Sequence, residues 1–162
     1  MDIALFFVLI VFNGVLAMSE IAVVSSRRAR LQHLADEGQR GAQSALALNH
    51  EPAIFLSTVQ VGITTVGILS GAIGEISLAM PLARQLATFP LLAPHADTIA
   101  LALVVAALTY FSVVVGELVP KRLGLLAPER IASLIAPAMQ RLARLARPLV
   151  WLLASSSNLL LR

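Results

Sequence analysis

Residues 98–122 read TIALALVVAALTYFSVVVGELVPKR. The run is uncharged from Thr98 to Gly116, closes on Glu117, and is followed by Pro120-Lys121-Arg122. It approaches the ~20 residues that a helix needs to cross ~30 Å of hydrocarbon. A carboxylate at the end of such a run is costly in lipid unless something binds it, so Glu117 marks a functional site. Pro120 has no backbone N–H, so in a helix the carbonyl of Gly116 loses its usual partner. One turn of chain then offers a carboxylate and a spare carbonyl, both oxygen ligands for a hard cation.

Two more segments have the same character. Ile3 to Ser26 is interrupted only by Glu20, and Ala53 to Gly74 carries no charge. With 58% hydrophobic residues, 13% charged residues and a mean hydropathy of +0.86, the chain falls outside the usual make-up of a soluble domain. A bilayer offers no water to backbone groups, so spanning pieces must be helices. The sequence therefore predicts an all-α membrane protein in one domain, residues 1–162, with three transmembrane helices at about 3–26, 53–74 and 98–119. The first run starts with Asp2, has no basic leader and exceeds a signal-peptide core, so it reads as a retained helix. Pro148–Leu161 is short for a span, and its polar run Ser155–Asn158 suits the membrane interface.

The net charge of +3 is distributed as topology rather than as a nucleic-acid surface, and no nucleic-acid partner is expected. Arg27, Arg28, Arg30 and Arg40 lie between runs one and two, and only Arg84 lies between runs two and three. Lys121, Arg122, Arg130, Arg141, Arg144, Arg147 and Arg162 follow run three. Basic residues favour the cytoplasmic side. That places the N-terminus outside and the C-terminus in the cytoplasm of a multi-pass inner (plasma) membrane protein. The absence of cysteine excludes disulfides and thiolate metal sites.

Residues 27–50 and 128–161 read as cytoplasmic amphipathic helices forming a juxtamembrane belt, with Gly38 and Gly41 as a break in the first. Arginines beside apolar faces fit helices resting on lipid headgroups. Gly67-x-x-x-Gly71 in run two is a close-packing pattern that suits helix contact, including a homodimer contact. Ala79–Pro94, with three prolines, reads as an outer re-entrant or interfacial loop.

Under this topology the strongest oxygen donors share the cytoplasmic half: Ser19 and Glu20 on run one, Ser57, Gln60, Thr64 and Thr65 on run two, and Glu117 on run three. Asn13 lies nearer the middle. Each has a plainer role open to it. Serine and threonine in membrane helices often bond to their own backbone. Glu20 can pair with Arg27 or Arg28, and Glu117 with Lys121 four residues on. Hydroxyls, a carboxylate and a carbonyl suit Mg²⁺, Ca²⁺ or Na⁺ rather than zinc or copper. The scattered His33, His50 and His95 suggest no ligand role. No H-E-x-x-H, G-x-S-x-G or Walker loop is present, so no enzyme is expected.

The chain resembles the membrane domain of the CorC/cyclin M family of magnesium transporters. The resemblance rests on Asn13-Gly14, Ala17-Met18-Ser19-Glu20, Ser25 and Arg28, on Leu56-Ser57-Thr58-Val59-Gln60-Val61-Gly62, and on Gly116-Glu117-Leu118-Val119-Pro120-Lys121. It covers essentially all 162 residues in order. It implies a homodimer with three spans per subunit and a belt of short helices. It also implies Mg²⁺ export driven by Na⁺ entry, with Mg²⁺ held by Ser19, Ser57 and Gly116-Glu117, and with Thr64 as a further candidate. Asn13, Glu20, Gln60 and Pro120 would support that site. Many relatives carry asparagine after Gln-Val-Gly, where this chain has Ile63. Members continue into ATP-binding CBS domains and a C-terminal domain, so the resemblance implies a truncated chain. The alternatives are a non-transporting ion sensor or regulator that acts on a separate transporter, and proton-coupled export of another solute.

Overall fold

The computed structural model describes residues 2–160, with side chains apart from those of residues 1–3, 154 and 157–162. The side chains of the polar Ser157 and Asn158, and the terminal Arg162 as a whole, thus lie outside what is described. Among the described residues the chain is all helix, turn and loop, without a strand. Three helical runs are long and apolar enough to cross a membrane: Ala4–Ser25, Pro52–Leu86 and Ala93–Leu126.

α1 (Asp2–Ser25) is the first of these, and α2 (Arg28–Asp36) follows after a two-residue break. Gly38, at φ 86°, ends α2. Its N–H donates to Ala35 O at 3.0 Å while Gln39 N–H donates to Leu34 O at 3.1 Å, the paired bonds of a Schellman cap. α3 (Arg40–His50) turns back over α2 and ends at Glu51, whose backbone (φ -120°, ψ 64°) leaves the helical region, and Pro52 then opens α4 (Pro52–Gly74), where its missing N–H costs nothing.

α4 does not stop at the expected boundary. It passes through a π turn (Glu75–Ala79) into α5 (Met80–Leu86), so most of the stretch read as an outer loop is helix. The reason is local. Met80 N–H donates to Glu75 O, and Pro81 falls in the first turn of α5, where proline is tolerated. The chain reverses at residues 87–92 and passes through a 3₁₀ turn (Ala93–His95) into α6 (Ala96–Val113). A second π turn (Val114–Leu118) leads to α7 (Val119–Leu126), again with proline, Pro120, in its first turn. α8 (Pro128–Leu160) is one helix through Pro137 and Pro148, not the two separate stretches that the prolines suggested.

The main core lies where the belt helices meet the spans. Leu16, Val23, Leu31, Phe55, Val59 and Met139, from four helices, are buried together. Polar contacts staple the belt there. Glu129 at the start of α8 accepts from Arg27 N–H at 3.3 Å and faces Arg30 at 3.7 Å, and Asn49 Nδ2 donates to Val23 O at 3.0 Å. At the far end of the spans a smaller cluster has Ala79, Val104 and Leu108 as its buried residues among those described, with Phe6, Leu78 and Leu82 partly buried against them.

Candidate functional site

The face of α1 turned toward the third run carries Asn13, Gly14 and Glu20. Each meets the segment 114–124. Gly14 packs on Pro120: a Cβ built on Gly14 would lie 3.0 Å from Pro120 Cγ. Gly124 sits against Ile21 and the carbonyl of Met18, again with no room for a Cβ. These two glycines let α1 and α7 approach closely enough for their polar groups to meet.

The π turn at Val114–Leu118 sets the chemistry. Val119 N–H donates to Val114 O, five residues back, so the usual spacing is offset by one where Gly116 and Glu117 sit. The carbonyl expected to be spare is taken: Asn13 Nδ2 donates to Gly116 O at 3.0 Å. Asn13 is buried, and its Oδ1 has no partner among the described residues. Buried amide oxygens are almost always bonded, so this one is open to a partner such as a water or a cation. Asn13 is thus more central than its supporting role in the sequence suggested.

Glu117 and Glu20 are joined by one cation. Lys121 Nζ lies 2.7 Å from Glu117 Oε1 and 3.5 Å from Glu20 Oε2. All three side chains are between a quarter and two-fifths exposed, so they are neither dry nor fully solvated. The helix pair Glu117–Lys121 forms despite Pro120, and Glu20 pairs with Lys121 rather than with Arg27 or Arg28. Lys121 was seen in sequence only as the partner of Glu117, yet it links two spans.

The other predicted residues divide. Ser19 is fully buried, and its hydroxyl donates to Leu16 O at 2.7 Å, which leaves its lone pairs free to accept or ligate. Ser57 and Gln60 are exposed along α4 but line one groove with Glu20. α8 contributes Val150 and Leu153 to the same groove. Thr64 is exposed and does not line this groove. Thr65 donates to Val61 O, and Thr58 rather than Ser57 is the buried hydroxyl at this level, donating to Ile54 O at 2.8 Å. Among the described residues no three His, Cys, Asp or Glu side chains cluster to hold a metal. A cation here would rely on hydroxyl, amide and carboxylate oxygens together.

Residues 4–162 match the cyclin M transmembrane N-terminal domain. The chain belongs to that family. Within it, the chain is 50% identical over 162 residues to a UPF0053 protein of Synechocystis sp., covering 100% of this chain and 36% of that protein. It is 32% identical over 161 residues to a polyamine export protein of Salmonella typhimurium, covering 99% and 36% of the two chains. It is 31% identical over 154 residues to a polyamine export protein of Escherichia coli K12, covering 95% and 34%. The chain thus spans about a third of the length of the curated relatives it matches. This cyclin M domain is a multi-pass membrane protein with three candidate spans.

Proposed function

We propose that this cyclin M domain is the membrane part of a secondary-active cation exporter, with Mg²⁺ as cargo and Na⁺ entry as the driving force. The cargo binds between the spans at the belt end, which in this reading is the cytoplasmic end because the basic residues gather there. The observation that carries this reading is the seating of Lys121 between Glu117 and Glu20. Carboxylates from two different spans turn toward one positive charge, and a cargo cation that displaces the ammonium meets the same pair. Ser19, Ser57, Asn13 Oδ1 and the turn at Gly116 would add the hard oxygens that Mg²⁺ prefers. Like charges held together need a cation, so loading and ammonium release are coupled.

A polyamine is the second reading. The group that rests on the carboxylate pair is itself a primary ammonium, and two of the relatives above are named polyamine export proteins.

Calorimetric titration of the purified protein with Mg²⁺ and with spermidine tests both readings. A charge-assisted contact is worth about 1.5–3 kcal/mol. Glu117→Gln should therefore weaken binding of the true cargo by roughly tenfold or more. Equal binding by native protein and variant removes the site, and a spermidine response without a Mg²⁺ response moves the cargo to the polyamine. Flux from proteoliposomes, with and without a Na⁺ gradient, separates an exporter from a binding-only sensor.

A further inference from the structure

Two grooves meet where α3 hands over to α4, beneath α8. One is the more polar of the two, lined by His50, Glu51, Gln140, Arg144 and Arg147 beside apolar Leu48 and Ala143. The other is apolar, lined by Pro148, Val150 and Trp151. Ile54, Arg144 and Arg147 line both, so the two are continuous through the arginines. Among the described residues neither arginine forms an ion pair, although Glu51 lines the polar groove. Arg144 Nε donates to Gln140 O at 3.4 Å, which holds the guanidinium stem against α8.

We infer that this double groove binds one anionic phospholipid. Its phosphate sits on Arg144 and Arg147, and an acyl chain lies along Ile54, Pro148, Val150 and Trp151. Position supports this occupant. Ile54 is in the first turn of the second span, so the groove sits at the mouth of that span, the level of headgroups. Trp151 is 70% exposed, and an exposed tryptophan beside paired arginines is the side-chain set of a membrane interface. Arginine also suits phosphate, since its planar fork can donate twice to one group. The site is independent of the cation reading, although Val150 also lines the groove of Glu20 and Ser57.

The chain has one tryptophan, and it lines this groove, so its fluorescence reports the site alone. The protein is reconstituted in phosphatidylcholine vesicles containing graded fractions of brominated phosphatidylglycerol or brominated phosphatidylcholine. Brominated phosphatidylglycerol should quench Trp151 at a several-fold lower mole fraction. Arg144→Gln with Arg147→Gln should bring the two lipids to parity. Arg130→Gln with Arg141→Gln, which removes equal charge elsewhere, should leave the preference in place. Parity in the native protein overturns the proposal without any variant. So does a preference that survives loss of Arg144 and Arg147, or one lost equally with Arg130 and Arg141, which would mean diffuse attraction to the surface. Abolition of the preference by millimolar glycerol phosphate would assign the site to a soluble phosphate instead. Shielding of Trp151 from both lipids would assign it to a second protein copy.

Discussion

The two ends of the helical bundle are built on different principles. At the belt end, α1, α3, α4 and α8 bury Leu16, Val23, Phe55 and Val59 almost completely, and glycines bring backbones into contact. At the far end, a cluster of three buried residues borders an apolar cavity lined by Phe6, Phe7, Ile10, Leu78 and Phe111. Both ends carry a π turn on the path, each followed by proline. Among the described residues, only the belt-end turn has polar groups of another helix aimed at it. A π turn alone is therefore a backbone adjustment. It becomes a site when a neighbouring helix comes close enough to use the offset groups.

If the contrast is real, truncating equivalent apolar side chains should cost very different amounts. Phe55→Ala at the belt end should lose about 3–5 kcal/mol, the range for a fully buried phenylalanine. Leu108→Ala at the far end should lose far less, because the void there already exists and lipid chains can fill it. Thermal unfolding in one detergent, followed by circular dichroism, compares the two. Similar losses would mean that the far end is packed as tightly as the belt end.

Glycine contacts give the next largest effect. A Cβ on Gly41 would collide with the carbonyl of Ser133, which Pro137 leaves without its helical partner. A Cβ on Gly124 would collide with Ile21. Gly41→Ala and Gly124→Ala should each cost about 1–3 kcal/mol by overpacking, despite the better helix propensity of alanine. Gly124→Ala should also weaken cation binding in titration, since it pushes Glu20 away from Lys121, whereas Gly41→Ala should not. Equal effects on binding would show that the α1–α7 approach does not set the site.

How much of this was legible in the sequence depends on range. Uncharged runs gave the three spans because lipid acts on every residue of a run at once. Gly38 gave a helix end because a positive φ is a local property of one residue. Gly41 looked like part of the same break, but it serves a contact with a residue far along the chain, which local patterning does not encode. The π turns were hidden for a similar reason, since proline announces a lost bond without saying how neighbours absorb it. Glu117 was found from its cost in lipid. That one lysine answers both carboxylates became visible only when α1 lay beside α7. Glu129, buried against the start of α2, gave no signal beyond a charge near a proline.

Asn13 tests the link between the π turn and the site with a smaller expected effect. Asn13→Leu keeps the volume but removes the donor to Gly116 O, and an orphaned buried carbonyl costs about 1–3 kcal/mol. Asn13→Asp removes the donor and puts a carboxylate near Glu117, so stability should drop without cation and recover when the cargo is added. Recovery in Asn13→Asp with none in Asn13→Leu would place Oδ1 within reach of the cargo. Equal behaviour would leave Asn13 as a structural clamp on Gly116.

The smallest effect is expected at Gly67 and Gly71, and its sign differs from the others. A Cβ on either meets nothing within 4 Å in this chain, and both lie on the exposed face of α4. Their spacing suggested close packing, but among the described residues no helix supplies it. Replacing glycine by alanine in an exposed helix interior gains up to about 1 kcal/mol. Gly67→Ala and Gly71→Ala should therefore be neutral or slightly stabilising in monodisperse detergent samples, where Gly41→Ala is destabilising. A loss at Gly67 or Gly71 that grows on dilution would mean that a partner helix from outside the chain uses this face. A loss independent of concentration would mean that the helix itself needs glycine there, and the contrast between crowded and open glycines would fail.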